Sequence, residues 1–128
     1  KLKEEGNEMF KAGRYENAIR LYTQAINISS NASNLYSNRA LCHKKLGNYE
    51  ECRKDAETAI ELQETNIKAH LLCGQALLHL GKFEEDTSMI ERGIRRLSRS
   101  ISLCSGQQKR GFEKDLVIYL YRGKKLLW

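Results

Sequence analysis

An all-α fold, built as a superhelical stack of three helix-turn-helix repeats closed by a C-terminal capping helix, is what this chain predicts. Three observations carry it. A period of 34 residues runs through the chain: Gly6, Ala40 and Gly74 recur at that spacing, as do Gly13, Gly47 and Gly81. The aromatics Tyr15, Tyr49 and Phe83 follow the same period, and so do Ile26, Ile60 and Ile94. The chain has no Pro, so no helix interior is interrupted by a lost donor and a ring clash.

Each position has a physical meaning. A small residue fits where two helices cross, a Gly suits the left-handed residue that ends the first helix, and an aromatic opens the second. In chain order, the first pair is expected over 2–12 and 15–28. A polar connection follows, with Ser33 or Asn34 placed to cap the next helix. The second pair is expected over 35–46 and 49–62, with Thr65 or Asn66 as the next cap. The third runs over 67–80 and 83–103. Glu84, Glu85 and Asp86 fall at the start of its second helix, where the dipole favours acids. That helix departs from the pattern, with Asp86 at the small position held by Ala18 and Cys52, and with Arg92, Arg95, Arg96 and Arg99 along one side. Terminal repeats are expected to be atypical because they have one neighbour. Residues 105–111 read as a polar linker. Over 112–128, Phe112, Leu116, Tyr119, Leu120, Leu126 and Leu127 recur at mostly helical spacing, as a capping helix would. The organisation is three repeats over 1–104 (about 1–32, 33–66 and 67–104), then linker and cap over 105–128.

That period and pattern resemble the tetratricopeptide repeat. The resemblance is incomplete in one respect: Ser30, Glu64 and Ser98 stand where such repeats usually end in Pro.

Composition narrows the function classes. The 128 residues suit one domain, and no apolar run approaches the ~20 residues of a membrane span. No signal-peptide pattern opens the chain, and its start at Lys1 within a helical pattern reads as a segment of something longer. Cys42, Cys52, Cys73 and Cys104 form no C-x-x-C pair and read as reduced thiols of a cytoplasmic protein. The net charge of +6 suits nucleic acid, an anionic membrane or an acidic peptide, or is simply a solvated surface. His70, Cys73 and His79 do not share one helix face, so no metal site and no cofactor are expected. No nucleophile-and-base arrangement is visible, and the chain reads as non-catalytic.

Polar residues on the first helix of each pair carry the functional signal. Lys3 and Asn7 are four apart and share a face. Asn38 lies 31 residues after Asn7, and Lys68 lies 30 after Asn38, so adjacent first helices bring them side by side. Two ammonium groups and two amides then converge, which is the donor set that holds a carboxylate.

These residues, as K-x-x-x-N (Lys3 to Asn7), N-R-A (Asn38, Arg39, Ala40) and K-A-H (Lys68, Ala69, His70), resemble the two-carboxylate clamp of chaperone-binding tetratricopeptide domains. Those domains grip the C-terminal Glu-Glu-Val-Asp tail of cytosolic heat-shock chaperones. The resemblance implies that Lys3, Asn7, Asn38 and Lys68 hold the terminal main-chain carboxylate and the last Asp. Many clamp domains carry an Arg where Leu72 stands. With Gly74 and Gln75 after K-A-H, Leu41, Cys42 and Lys45 after N-R-A, and Phe112 to Asp115 before a closing Lys124, Lys125 and Trp128, the chain is most similar to the variant found in a U-box co-chaperone ubiquitin ligase. That similarity implies polar contacts from Lys45 and Gln75, an apolar wall of Tyr22, Leu41, Leu72 and Phe112, and Asp115 near the peptide. It also implies a monomeric module within a parent dimerised by other regions. Another co-chaperone, an isomerase, phosphatase or scaffold, is the alternative. A basic module for RNA or membrane is a competing class, disfavoured because the four arginines lie away from the clamp and no aromatic interleaves them.

Overall fold

The computed structural model describes residues 1–104. It shows six α-helices: α1 (Leu2–Lys11), α2 (Tyr15–Ile28), α3 (Ser33–Lys45), α4 (Tyr49–Leu62), α5 (Ile67–Glu84) and α6 (Thr87–Leu103). There is no strand among the described residues. The expected seventh helix, over 112–128, lies outside them.

The helices pair as α1–α2, α3–α4 and α5–α6, and each outer helix also packs on the next inner one. The inner helices α3 and α5 touch directly, so these two first helices stand side by side. Small residues make this possible. Ala18, Ala40, Cys52, Ala56, Ala59, Ala69, Cys73 and Ala76 are all fully buried, and they let helices approach closely around a few large side chains such as Tyr22 and Leu77. All four cysteines are buried.

The polar residues between repeats have structural work. Asn66 is the N-cap of α5, as the sequence suggests, its side chain accepting from the Ala69 amide at 3.1 Å. Its amide nitrogen donates to Ser33 Oγ at 2.9 Å. Ser33 does not cap α3, nor does Asn34. The N-cap is Ala32, and the buried Ser33 hydroxyl donates instead to the Ala59 carbonyl in the last turn of α4, at 2.8 Å. Burial decides this: a hydroxyl enclosed between three helices must find an acceptor there.

Arg39 and His70, both part of the clamp-like motifs, also tie helices together. Arg39 forks onto Asp55 with two bonds of 2.7 Å and donates to Thr23 Oγ1 at 3.1 Å, joining α3 to α4 and α2. His70 is fully buried, its Nε2 2.7 Å from the Glu64 carbonyl oxygen.

The third pair differs from expectation. Gly81 does not end α5, and Phe83 does not open α6. The helix runs on to Glu84, Glu85 takes the left-handed conformation as its C-cap (φ 55°), and Asp86 is the N-cap of α6, accepting from the Ser88 and Met89 amides. Only Asp86 of the three acids therefore sits at a helix start. Phe83 is left 85% exposed. The absent Pro matters here, since α6 continues through Ser98 to Leu103.

Candidate functional site

A cavity of about 190 Å³ opens between the inner helices, lined by Asn7, Phe10 and Lys11 of α1, Tyr22 of α2, Asn38 and Leu41 of α3, and Lys68 of α5. Its construction starts at Gly6. A Cβ there would lie 2.7 Å from Tyr22 Cε1, so only glycine lets the tyrosine ring pass under α1. The ring is 2% exposed, and its hydroxyl reaches the far side to donate to Asn7 Oδ1. Burial pushes the Tyr22 phenol up to about 12, with Cys42 adding to it, so the group remains a donor at neutral pH.

On the facing helices, the Lys68 ammonium donates to Asn38 Oδ1 at 2.8 Å. Both asparagine carbonyls are thus occupied from within the protein. What each amide has left is its NH₂ group, and Lys68 keeps two further N–H donors. The amide and ammonium groups of this cavity present donors outward and have spent their acceptors inward. Such a site selects an anion with several acceptor oxygens, and a carboxylate fits the spacing of amides and ammonium.

Electrostatics agrees. The body of Lys68 is exposed, but its ammonium end is packed well enough that burial lowers its pKa. The nearby positive charge of Lys3 lowers it further, while Cys42 works in the opposite direction. Cys42 is fully buried, and burial pushes its thiol up to about 11, so it contributes no compensating negative charge. Two cations held close with no carboxylate between them form a site that gains from binding an anion.

Asn7, Asn38, Lys68, Tyr22 and Leu41 are the residues the structure brings together from the sequence reading. Lys3 does not line this cavity, but it lies near enough to lower the Lys68 pKa. It lines a larger neighbouring cavity of about 680 Å³ with Lys1, Leu2, Asn31, Asn34, Leu35 and Gln63, whose exposed wall is mostly apolar, whereas the smaller one holds the hydrogen-bonded Asn38–Lys68 pair. We therefore place the chemistry in the smaller cavity. Leu72 is not among its walls; it is 3% exposed and packs in the core with Cys52 and Ala56. Gln75 is engaged not by Lys45, which is exposed, but by Lys44, whose ammonium donates to Gln75 Oε1 at 2.7 Å. Burial lowers the Lys44 pKa. Phe112 and Asp115 lie outside the described residues.

Phe10, Lys11 and Lys44 were missed by the sequence reading, although signals for them exist. Phe10 and Lys11 follow Asn7 by three and four residues and so share its face. Lys44 precedes Gln75 by 31 residues, the same offset that relates Asn7 to Asn38. Among the described residues no group of His, Cys, Asp and Glu could hold a metal ion, and no helix is long and apolar enough to cross a membrane. His79 instead stacks on Tyr49 at 3.7 Å.

A family model described as "Anaphase-promoting complex, cyclosome, subunit 3" matches residues 11–92. The E3 ubiquitin-protein ligase CHIP of Arabidopsis thaliana is 38% identical over 94 residues, covering 73% of this chain and 34% of the relative. The chain thus spans about a third of that relative's length. Among solved structures, the second TPR domain of human RPAP3, in complex with the HSP70 peptide SGPTIEEVD, superposes with a TM-score of 0.79 at 31% identity, covering 96% of this chain and 92% of that one. The first TPR of Spaghetti (RPAP3), bound to the HSP90 peptide SRMEEVD, gives 0.76 at 26% identity, covering 94% and 90%.

Proposed function

The chain belongs to the tetratricopeptide-repeat family, and from that premise we propose that it is a non-catalytic co-chaperone module that binds the C-terminal Glu-Glu-Val-Asp tail of heat-shock chaperones. The observation that carries the reading is the direction of the polar groups. Tyr22 and Lys68 occupy the Asn7 and Asn38 carbonyls, so the cavity meets its ligand with donors. Asn7, Asn38 and Lys68 hold the terminal main-chain carboxylate, with Lys3 beside the last Asp side chain. Leu41 and Phe10 offer apolar surface to the penultimate Val. Lys45, Gln75, Phe112 and Asp115 belong to the same reading as residues nearer the rest of the tail, whereas Leu72, buried in the core, does not. The likeness to RPAP3 domains solved with such peptides supports the choice of ligand.

The similarity to a plant ubiquitin ligase supports a finer reading: a cytoplasmic parent that links chaperone binding to ubiquitin transfer. A parent transcript encoding no U-box would overturn that part alone.

Calorimetry with the peptide SGPTIEEVD, as free acid and as C-terminal amide, tests the module. Micromolar binding, about −8 kcal/mol, is expected for the acid. Amidation should cost about 2–3 kcal/mol, because charge-assisted donors lose their acceptor. Equal affinity for the two forms would sink the assignment.

A further inference from the structure

We infer that Lys11 is a second reading point of this groove, pairing with an acidic side chain about three residues upstream of the ligand's C-terminus; this rests on the tail-binding reading above. Lys11 lines the cavity together with Asn7 and Phe10. Lys68 and Lys44 both spend a donor on a neighbouring side chain, whereas Lys11 makes no side-chain hydrogen bond or ion pair among the described residues. A lysine in the last turn of a helix complements the dipole from any direction. Dipole compensation does not require the side chain to turn into a cavity already lined by two amides and an ammonium.

Spacing gives the ligand position. Lys3, Asn7 and Lys11 follow one another at four-residue steps along α1, a slowly winding stripe on a single helix. At about 1.5 Å of rise per residue, Lys11 stands about 6 Å beyond Asn7 and about 12 Å beyond Lys3. A terminal Asp whose main-chain carboxylate sits at Asn7 and whose side chain sits beside Lys3 is then centred about 9 Å from the level of Lys11. An extended peptide running along α1 advances about 3.3 Å per residue, so it reaches Lys11 after about three residues. In a Glu-Glu-Val-Asp tail, that residue is the first Glu. The stripe is therefore a ruler with a cation at each end, and it selects for an acid at that spacing as well as for the free C-terminus.

A four-way calorimetric comparison tests this. The wild-type domain and Lys11→Gln are each titrated with SGPTIEEVD and with the same peptide carrying Gln in place of its first Glu. Lys11→Gln should weaken the Glu peptide about three- to fivefold at low salt, in the range of a partly exposed ion pair, and leave the Gln peptide unchanged. Lys11→Glu should weaken the Glu peptide more, and a peptide with Lys at that position should recover most of the loss. Lys54→Gln, on the outer helix α4, serves as the control for net charge. Equal weakening of both peptides by Lys11→Gln, or of neither, overturns the proposal while leaving the module intact. Failure of the tail-binding reading looks different: the wild-type domain then binds neither peptide, or binds acid and amide forms alike, and Lys11 falls with it. Circular dichroism of each variant excludes loss of fold as the cause.

Discussion

In the first two hairpins the chain turns at Gly13 and Gly47, both at positive φ (76° and 80°), and the amides of Arg14 and Asn48 reach back to the Met9 and His43 carbonyls. In the third, the left-handed residue is Glu85, and the Asp86 amide reaches back to the carbonyl of Gly81. The closing motif is the same, moved four residues along, or about one helical turn. The glycines themselves explain the shift. A Cβ on Gly13 or Gly47 would meet nothing within 4 Å, whereas on Gly81 it would lie 2.8 Å from Ile90 Cγ1. Gly81 is a crossing residue. Together with Gly74 and Gly93 it lets α5 and α6 lie close. Gly81 is occupied by its crossing with α6, and the helix turns only after Lys82, Phe83 and Glu84, which are all exposed. The cavity is untouched by the difference, because its residues come from α1, α2, α3 and the first turn of α5, all before the point of divergence.

The comparison breaks first at Gly74. Its missing Cβ would lie 2.6 Å from Leu97 Cγ and 3.0 Å from the Gly93 carbonyl oxygen, and backbone cannot rotate away. Gly74→Ala should therefore cost about 2–3 kcal/mol by chemical denaturation, as overpacking does. Tail affinity of the folded fraction should stay near wild type. Gly6→Ala should do the reverse at the other end, displacing Tyr22 from Asn7 and weakening the tail along with the fold. If Gly74→Ala is neutral, the third hairpin is not held by close crossing.

Gly47→Ala is the contrasting case, with space but a left-handed backbone. The steric cost of about 1–2 kcal/mol is partly offset by a stiffer unfolded chain, leaving about 1 kcal/mol of destabilisation. Glu85→Gly should act in the opposite direction. It relieves the left-handed strain and removes an acid from a helix C-terminus, for a gain of about 0.5 kcal/mol after the entropy of glycine is counted. A loss of stability on Glu85→Gly would mean that the Glu85 side chain holds the turn.

The sequence carried the period, the pairing and the placing of Asn7, Asn38 and Lys68 on one cavity, because those depend on residue type at fixed spacing. Asn66 was legible as a cap for the same local reason. The turn of the third pair was not, since a 34-residue register places Gly81 without saying what a Cβ there would strike. The local signal was Asp86, an N-cap residue three positions after Phe83, followed by Thr87 and Ser88. Leu72 shows a second limit. Its spacing from Lys68 puts it on the groove side of α5, but whether α4 covers it is a matter of packing, and it is covered. Lys44 and Lys45 show a third: adjacent residues point about 100° apart on a helix, and only the 31-residue offset to Gln75 separates them.

Lys68, at the start of the third repeat, is where the two halves of the comparison meet, and it sharpens them through pH. Burial, and then Lys3, lower its pKa in the free domain. A bound carboxylate restores the charged form, so the complex holds more protons than the free domain at alkaline pH. Affinity should be flat at lower pH and fall as pH rises through the lowered Lys68 value. Folding carries the opposite sign. The unfolded chain, with an ordinary lysine, binds more protons than the folded one between the lowered and ordinary values, so stability of the free domain should rise with pH across that window. Titrations in two buffers of different ionisation heat should show uptake of a fraction of a proton per peptide at alkaline pH. Lys68→Met should abolish the uptake and most of the binding while leaving the thermal midpoint equal or slightly raised. Lys3→Met should shrink the uptake, because the second cause of the shift is gone. Proton uptake that survives Lys68→Met would place the coupled group elsewhere in the groove.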